Sequence, residues 1–416
     1  MTVLATLKKA LLPCALVLGA VSFSLPAVAF VEEITATFRP DPSNPLSNKF
    51  TNTTPQSGMC AWHANAIARC KALGIFGIRY EGFAASSVMP IPANHDDPRK
   101  AAYFKVPSSW RDVQVTHAGT GATETLQMRI AAIGTRWDVP RPPGVSGWAT
   151  PANGWSYYWY VGAPPCQGIG YIAASQAFAL FFWTVPEGAG ACFVKPGTEF
   201  PGMRYSHMEY AYELKTPNPL GMEAGEYTGS VSYTMGPGGD FDFGDAMIPT
   251  DNIATFNFTL DVTHILNIEL PPGGNRVELL PEGGWQAWLS QGRRPSRLYR
   301  DQTFRIAASG RFKMTLECGL VNGNTCGLRN GQGDEVPVQI AVSLPHGLND
   351  QYGQAVNKLP LRLDGSGTEL FQATQYLNNR PGTLHFQIEK EDVGEVLKQP
   401  GATYSGVATV VWDSEV

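Results

Sequence analysis

The chain has 416 residues, a formal charge of −5, only 16% charged residues, 44 glycines and 32 prolines. Its negative sign gives no support to nucleic acid or anionic lipid as a main partner. The length fits two or three domains at ~150 residues each, either half long enough to bury a core. High Gly and Pro with many short alternating segments favour an all-β protein, read here as two tandem β-sandwiches.

Residues 1–29 read as a targeting segment: Lys8 and Lys9, the apolar run Ala10 to Val21, then Ala27-Val28-Ala29 as an A-x-A cleavage signal. The mature chain is expected to begin near Phe30, exported and two charges more negative. No later run is expected to span a membrane, since Tyr171 to Val185 is interrupted by Ser175 and Gln176 and falls short of ~20 residues. Once Cys14 leaves with the leader, the cysteines form neighbouring pairs: Cys60 with Cys70, Cys166 with Cys192, Cys318 with Cys326. About fifteen connectivities are open to six cysteines; export favours disulfides, and local pairing is the simplest choice. No C-x-x-C is present, which argues against a zinc knuckle or a redox site.

A first domain is expected over 30–236. Residues 31–58 read as a strand and a long loop, and Cys60 to Leu73 as a short helix closed by a disulfide. His63 lacks a partner at metal-binding spacing and is read as structural. Strands are expected at Phe76 to Phe83 and Thr125 to Ile130, with 84–124 mostly loop, where binding surfaces are commonly built. Arg136 to Tyr160 is the most aromatic stretch. Rings with polar tips suit sugars or flat protein patches, so a receptor site is expected among Arg141, Trp155, Tyr157 and Trp159. The competing reading is core, because in an alternating strand Trp155, Tyr157 and Trp159 share one face. Leu180 to Val185 is expected to be a buried strand. Arg204 to Leu214 alternates, with His207, Glu209 and Glu213 outward; with no third ligand, no metal site is expected there. Residues 237–252 read as a linker, and Asp240, Asp242 and Asp245 as solvated turn carboxylates, since the EF-hand spacing is absent.

A second domain is expected over 253–416. From Phe256 to Leu270 every even position except His264 is apolar, which predicts one long strand or two joined by a bend, with His264 in the core. Arg311 to Cys318, Val336 to Leu344 and Thr383 to Ile388 alternate likewise. Val393, Val396 and Leu397 mark a helical turn, and the basic run Arg293 to Arg300 reads as a solvated loop. The last sixteen residues read as a strand running into the C-terminus. Tyr404, Ala408, Val410 and Trp412 lie on one face, with Ser405, Val407, Thr409 and Val411 on the other. Apolar residues on both faces place it inside a sandwich, and a terminal strand must pair with something. Its pattern matches GEYTGSVSYTMG, Gly225 to Gly236, so each domain is expected to close on a Tyr-x-Gly strand.

No G-x-S-x-G, H-E-x-x-H, Walker loop or dinucleotide fingerprint occurs, and no cofactor or catalytic residue is assigned. The leader, AGEYTGSVSYTMG, the Phe256 to Leu270 strand and the terminal GATYSGVATVVWD together resemble the two-domain tip adhesins of bacterial chaperone-usher fimbriae, of the cable-pilus and colonisation-factor type. The resemblance implies a receptor-binding sandwich followed by an incomplete immunoglobulin-like pilin domain awaiting a donor strand. It implies docking along Tyr404, Val407, Ala408, Val410, Val411, Trp412 and the carboxylate of Val416. The implied partners are a periplasmic chaperone, an outer-membrane usher, an adjacent fimbrial subunit and a host glycan or protein receptor, with display at the fimbrial tip on the cell surface. Two other readings stand beside it: a secreted carbohydrate-active enzyme with an accessory β-domain, and a purely structural surface subunit.

Overall fold

A computed structural model describes residues 29–141, 144–149, 154–292 and 294–414. The leader up to Val28, Arg293 and Val416 lie outside the described residues. The regular structure of the chain is mostly strand, in two units with separate cores. No described helix is long and apolar enough to cross a membrane.

The first unit contains β1 (Ala29–Phe38), helices α1 (Met59–Trp62) and α2 (Ala64–Leu73), then β2 (Phe76–Tyr80), β3 (Ala85–Ser87), β4 (Arg111–His117), β5 (Thr123–Asp138), β6 (Phe178–Thr184), β7 (Met208–Lys215), β8 (Gly225–Thr234), β9 (Met247–Pro249) and β10 (Ile253–Val262). β5 is its spine, antiparallel to β4 (Val113 opposite Leu126), to β6 (Phe181 opposite Thr135) and to β7 (Tyr210 opposite Ile133). The β4 strand lies in a region expected to be loop, although its Val113 and Val115 alternate inward and are buried.

Beyond β4 the sheet continues through β8 and β10 to β1. β10 pairs antiparallel with β8 (Tyr227 opposite Leu260) and parallel with β1 (Ile34 opposite Phe258). Its Phe256, Phe258, Leu260 and Val262 are buried in the first core. This moves the domain boundary. The expected linker 237–252 belongs to the first unit: β9 pairs with β3, and Phe241 and Phe243 are buried. Gly, Pro and Asp mark tight turns there, and turns can be packed as densely as strands. The units meet at Thr263–Ile265, where the alternating run breaks in two. β8 is accordingly an inner strand and does not close a domain.

α1 and α2 cover the second face of β5, β6 and β7. Met59, Cys60, Ala66 and Cys70 pack there against Ala132, Phe182 and Ala211. The side of β7 expected to face water is therefore interior, and both His207 and Glu209 are buried.

The second unit contains β11 (Leu266–Glu269), β12 (Leu298–Ala308), β13 (Arg311–Cys318), β14 (Thr325–Arg329), β15 (Glu335–Ser343), β16 (Leu348–Asp350), β17 (Phe371–Ala373), β18 (Leu377–Ile388), helix α3 (Lys390–Val396) and β19 (Ala408–Asp413). One sheet runs β11, β12, β18, β15, β14; the other runs β16, β17, β13, β19. Both contribute to one core around Phe304, Phe312, Ile340 and Leu384. The basic run is only partly loop, since Leu298 to Arg300 open β12. All three local disulfides form, and Cys318–Cys326 ties β13 to β14, one strand from each sheet.

Candidate functional site

Two surfaces stand out, the terminal strand and the outer side of the aromatic segment. The terminal segment crosses between sheets. Ser405 exchanges backbone hydrogen bonds with Arg329 at 3.0 Å, Val407 O accepts from Gly319 N at 2.9 Å, and β19 then pairs antiparallel with β13 (Leu316 opposite Val410, Met314 opposite Trp412). Among the described strands β13 is the only partner of β19, and no described strand pairs with its outer backbone edge. β11 holds the corresponding place in the other sheet, with β12 its only partner among the described strands.

The strand is shorter than expected, and Tyr404 and Val407 precede it. It also lies at a wet margin: Ala408 and Thr409 are exposed, Val410 to Asp413 are half-buried, and Val407 is 67% exposed. A strand apolar on both faces is half-buried here because no described strand lies on one flank. Its inward side chains still reach the core. The Trp412 ring lies 5.1 Å from Phe304 and 5.7 Å from Phe312, and Lys313 Nζ lies 3.0 Å from Asp413 Oδ2. At the C-terminal end of this edge, Leu266, Phe312 and Ser414 border a cavity of about 540 Å³ that continues to the first unit.

The aromatic segment divides residue by residue. Trp155 and Trp159 are 1% and 0% exposed, packed with Trp137, Phe181 and Trp183, so neither is available to a receptor. Their polar groups are turned inward too. Trp155 Nε1 donates to Ser146 O at 3.2 Å, and Trp159 O accepts from Trp183 Nε1 at 2.7 Å. The segment is a series of turns, so period-two reasoning does not apply to it: Tyr157, between the two tryptophans, is 40% exposed. Arg141 is also exposed.

Outside the expected set, Trp148 is 50% exposed and lies 6.1 Å from Tyr160, which is 5.2 Å from Tyr158. Tyr160 O accepts from Gly170 N at 3.0 Å, and beyond it Tyr171 stacks on His63 at 3.8 Å, beside the exposed Trp62. Buried tryptophans thus hold a loop on which Trp148 and Tyr157 are exposed while Tyr158 and Tyr160 are half-buried. Trp62 was legible only as an apolar residue on a short helix.

The remaining candidates are structural. Glu209 Oε2 accepts from Met59 N at 2.9 Å, while Oε1 lies 3.6 Å from Arg79 Nη1 and 3.5 Å from His207 Nε2. Asp242 is not a solvated turn residue. It is buried and accepts from Arg99 Nη1 at 2.7 Å and from the backbone N–H groups of Gly238 and Gly244. Asp245 takes the same guanidinium, so the turn is closed by an internal cation. Among the described residues no cluster of His, Cys, Asp or Glu could hold a metal ion.

No protein-family model and no curated protein matches the chain. Among solved structures it is similar to a chain from the chaperone–tip adhesin complex of CFA/I fimbriae biogenesis, with 11% identity, 93% of this chain and 96% of that one covered, and a TM-score of 0.25. It is similar to CfaE, the adhesive subunit of CFA/I fimbria of enterotoxigenic Escherichia coli, at 11% identity, 92% of each chain and a TM-score of 0.23. A third is a chain of the CsuC–CsuE chaperone–tip adhesion subunit pre-assembly complex from archaic chaperone-usher Csu pili of Acinetobacter baumannii, at 10% identity, 93% and 99% coverage and a TM-score of 0.21.

Proposed function

We propose that this chain is a fimbrial tip adhesin, not an enzyme, whose second unit accepts a β-strand from a partner and whose first unit binds a receptor. The observation that carries the proposal is the outer edge of β19, an apolar strand whose only partner among the described strands is β13. An exposed edge of this kind is a template for strand addition, in which backbone hydrogen bonds supply affinity and alternate side chains supply register. Val410 and Trp412 from one sheet, and Leu266 and Ile268 from the other, are partly buried against the core of the second unit. The partner is a periplasmic chaperone first, then a neighbouring fimbrial subunit, with an outer-membrane usher between them.

The receptor surface is placed on the outward rings of the aromatic segment. It keeps Arg141 and Tyr157 and takes the exposed Trp148, with the half-buried Tyr160 beside it, in place of the core residues Trp155 and Trp159. Exposed aromatic rings on a rigid base bind glycans or flat protein patches with little entropy to lose.

The test is hydrogen exchange on the chain from residue 30 onward, with and without a strand peptide derived from a candidate fimbrial subunit. Amides of β19 that exchange freely alone and become protected with peptide support the proposal. A monomer whose β19 amides are all protected alone, and unaffected by any such peptide, overturns it.

A further inference from the structure

The cavity beyond β19 is bordered by two histidines that hold the same short piece of backbone. We propose that His117 and His264 form a proton-sensitive latch at the junction of the two units, closed while both rings are neutral and released when they are protonated.

His117 ends β4. Its Nδ1 accepts from the backbone N–H groups of Gly119 at 3.2 Å and Thr120 at 2.9 Å, which places the ring proton on Nε2, donating to Ala224 O at 3.0 Å. His264 sits in the joint between β10 and β11. Its Nε2 donates to Met222 O at 2.9 Å, and its Nδ1 faces Ser309 Oγ at 3.2 Å, an oxygen that already accepts from Ile265 N. Met222–Ala224 is therefore gripped by one ring from within the first unit and one at the hinge.

Neither socket has slack. A Cβ on Gly225 would stand 2.2 Å from His117 Nε2, and one on Gly310 would stand 2.6 Å from the His264 ring. The charged and titratable groups around the rings are Glu223, Tyr227 and Arg311, with Glu124 near Tyr227. Glu223 Oε2 accepts from Thr120 Oγ1 at 2.6 Å, the Tyr227 ring lies 4.9 Å from that of His117, and Glu124 acts on Tyr227. Arg311 lines the cavity, and its Nε has no hydrogen-bond partner among the described residues.

A second proton on His117 would point at two N–H groups. One on His264 would reverse the Ser309 hydroxyl and place a cation near Arg311. Burial first, then Arg311, push the His264 pKa down, against the Met222 carbonyl. A histidine held below its ordinary value of about 6.5 takes up a proton more readily once released, so the closed contact loses stability as pH falls below that value. Released rings free the Met222 and Ala224 carbonyls and open the cavity that reaches Ser414.

The test is hydrogen exchange on the whole chain at pH 7.5 and 5.5, corrected for intrinsic rates, comparing wild type with the double variant His117→Gln/His264→Gln. Amides over 222–225, 263–266 and 309–311 should exchange severalfold faster at pH 5.5 than at pH 7.5 in wild type, because proton uptake favours the released rings. The double variant should show no pH effect, whether it rests closed or open. A wild-type junction indifferent to pH, or an acid response that survives in the double variant, overturns the latch.

Discussion

Replacing Trp159 by alanine separates a core ring from a receptor contact. The side chain is 0% exposed, with the rings of Phe181, Trp155, Trp183, Trp137 and Phe104 within 4.7 to 6.5 Å. Burying a tryptophan removes about 150–250 Å² from water, which at about 25 cal/mol per Å² is about 4–6 kcal/mol. Large-to-small changes at such sites cost about 3–5 kcal/mol once the cavity has partly collapsed. Trp159→Ala should therefore destabilise the first unit by about 4 kcal/mol, which lowers its melting temperature by about 8–16 °C at about 2–4 °C per kcal/mol. The assay is urea unfolding of the whole chain followed by near-ultraviolet circular dichroism, with the transitions of the two units fitted separately because one two-state fit does not apply. Trp148→Ala and Tyr157→Ala, at exposed positions, should stay within about 0.5 kcal/mol of wild type. A Trp159→Ala protein within about 1 kcal/mol of wild type would refute the core assignment.

Two further substitutions test the first unit. Arg99→Ala leaves the buried Asp242 carboxylate with only backbone N–H donors, at a cost of about 3 kcal/mol by denaturant unfolding; adding Asp242→Asn should recover much of that loss, and failure to do so would mean the charge pair is not the cause. Burial raises the Glu32 pKa above its usual 4.5, against the Tyr210 hydrogen bond and with help from Glu33. A carboxyl that is harder to ionise folded than unfolded makes stability fall as pH rises through and above 4.5. Glu32→Gln should remove that slope and raise the melting temperature at pH 7, and an unchanged slope would show that Glu32 is not its source.

Much of the architecture could be read directly from residue patterns. Alternation over Arg311 to Cys318 and Val336 to Leu344 specified strands with one buried face, because side chains of a strand point to opposite sides. Short cysteine separations favoured local bridges, and the structure forms them. The candidate site was less legible. Trp155, Tyr157 and Trp159 look alike in sequence, yet a chain of turns sends two inward and one outward.

What the sequence determined by itself was the local state of the backbone: which segments extend, which face of each is apolar, and that Ala408–Asp413 is extended. Only the tertiary structure decided what covers each face. Helices α1 and α2 turned His207 and Glu209 from surface to interior, and pairing with β1 and β8 drew Ile253–Val262 into the first unit. The physical reason is that periodicity is a property of a few neighbouring residues. Burial and strand pairing are set by elements far away in the chain, and on the outer flank of β19 no described strand supplies that neighbour.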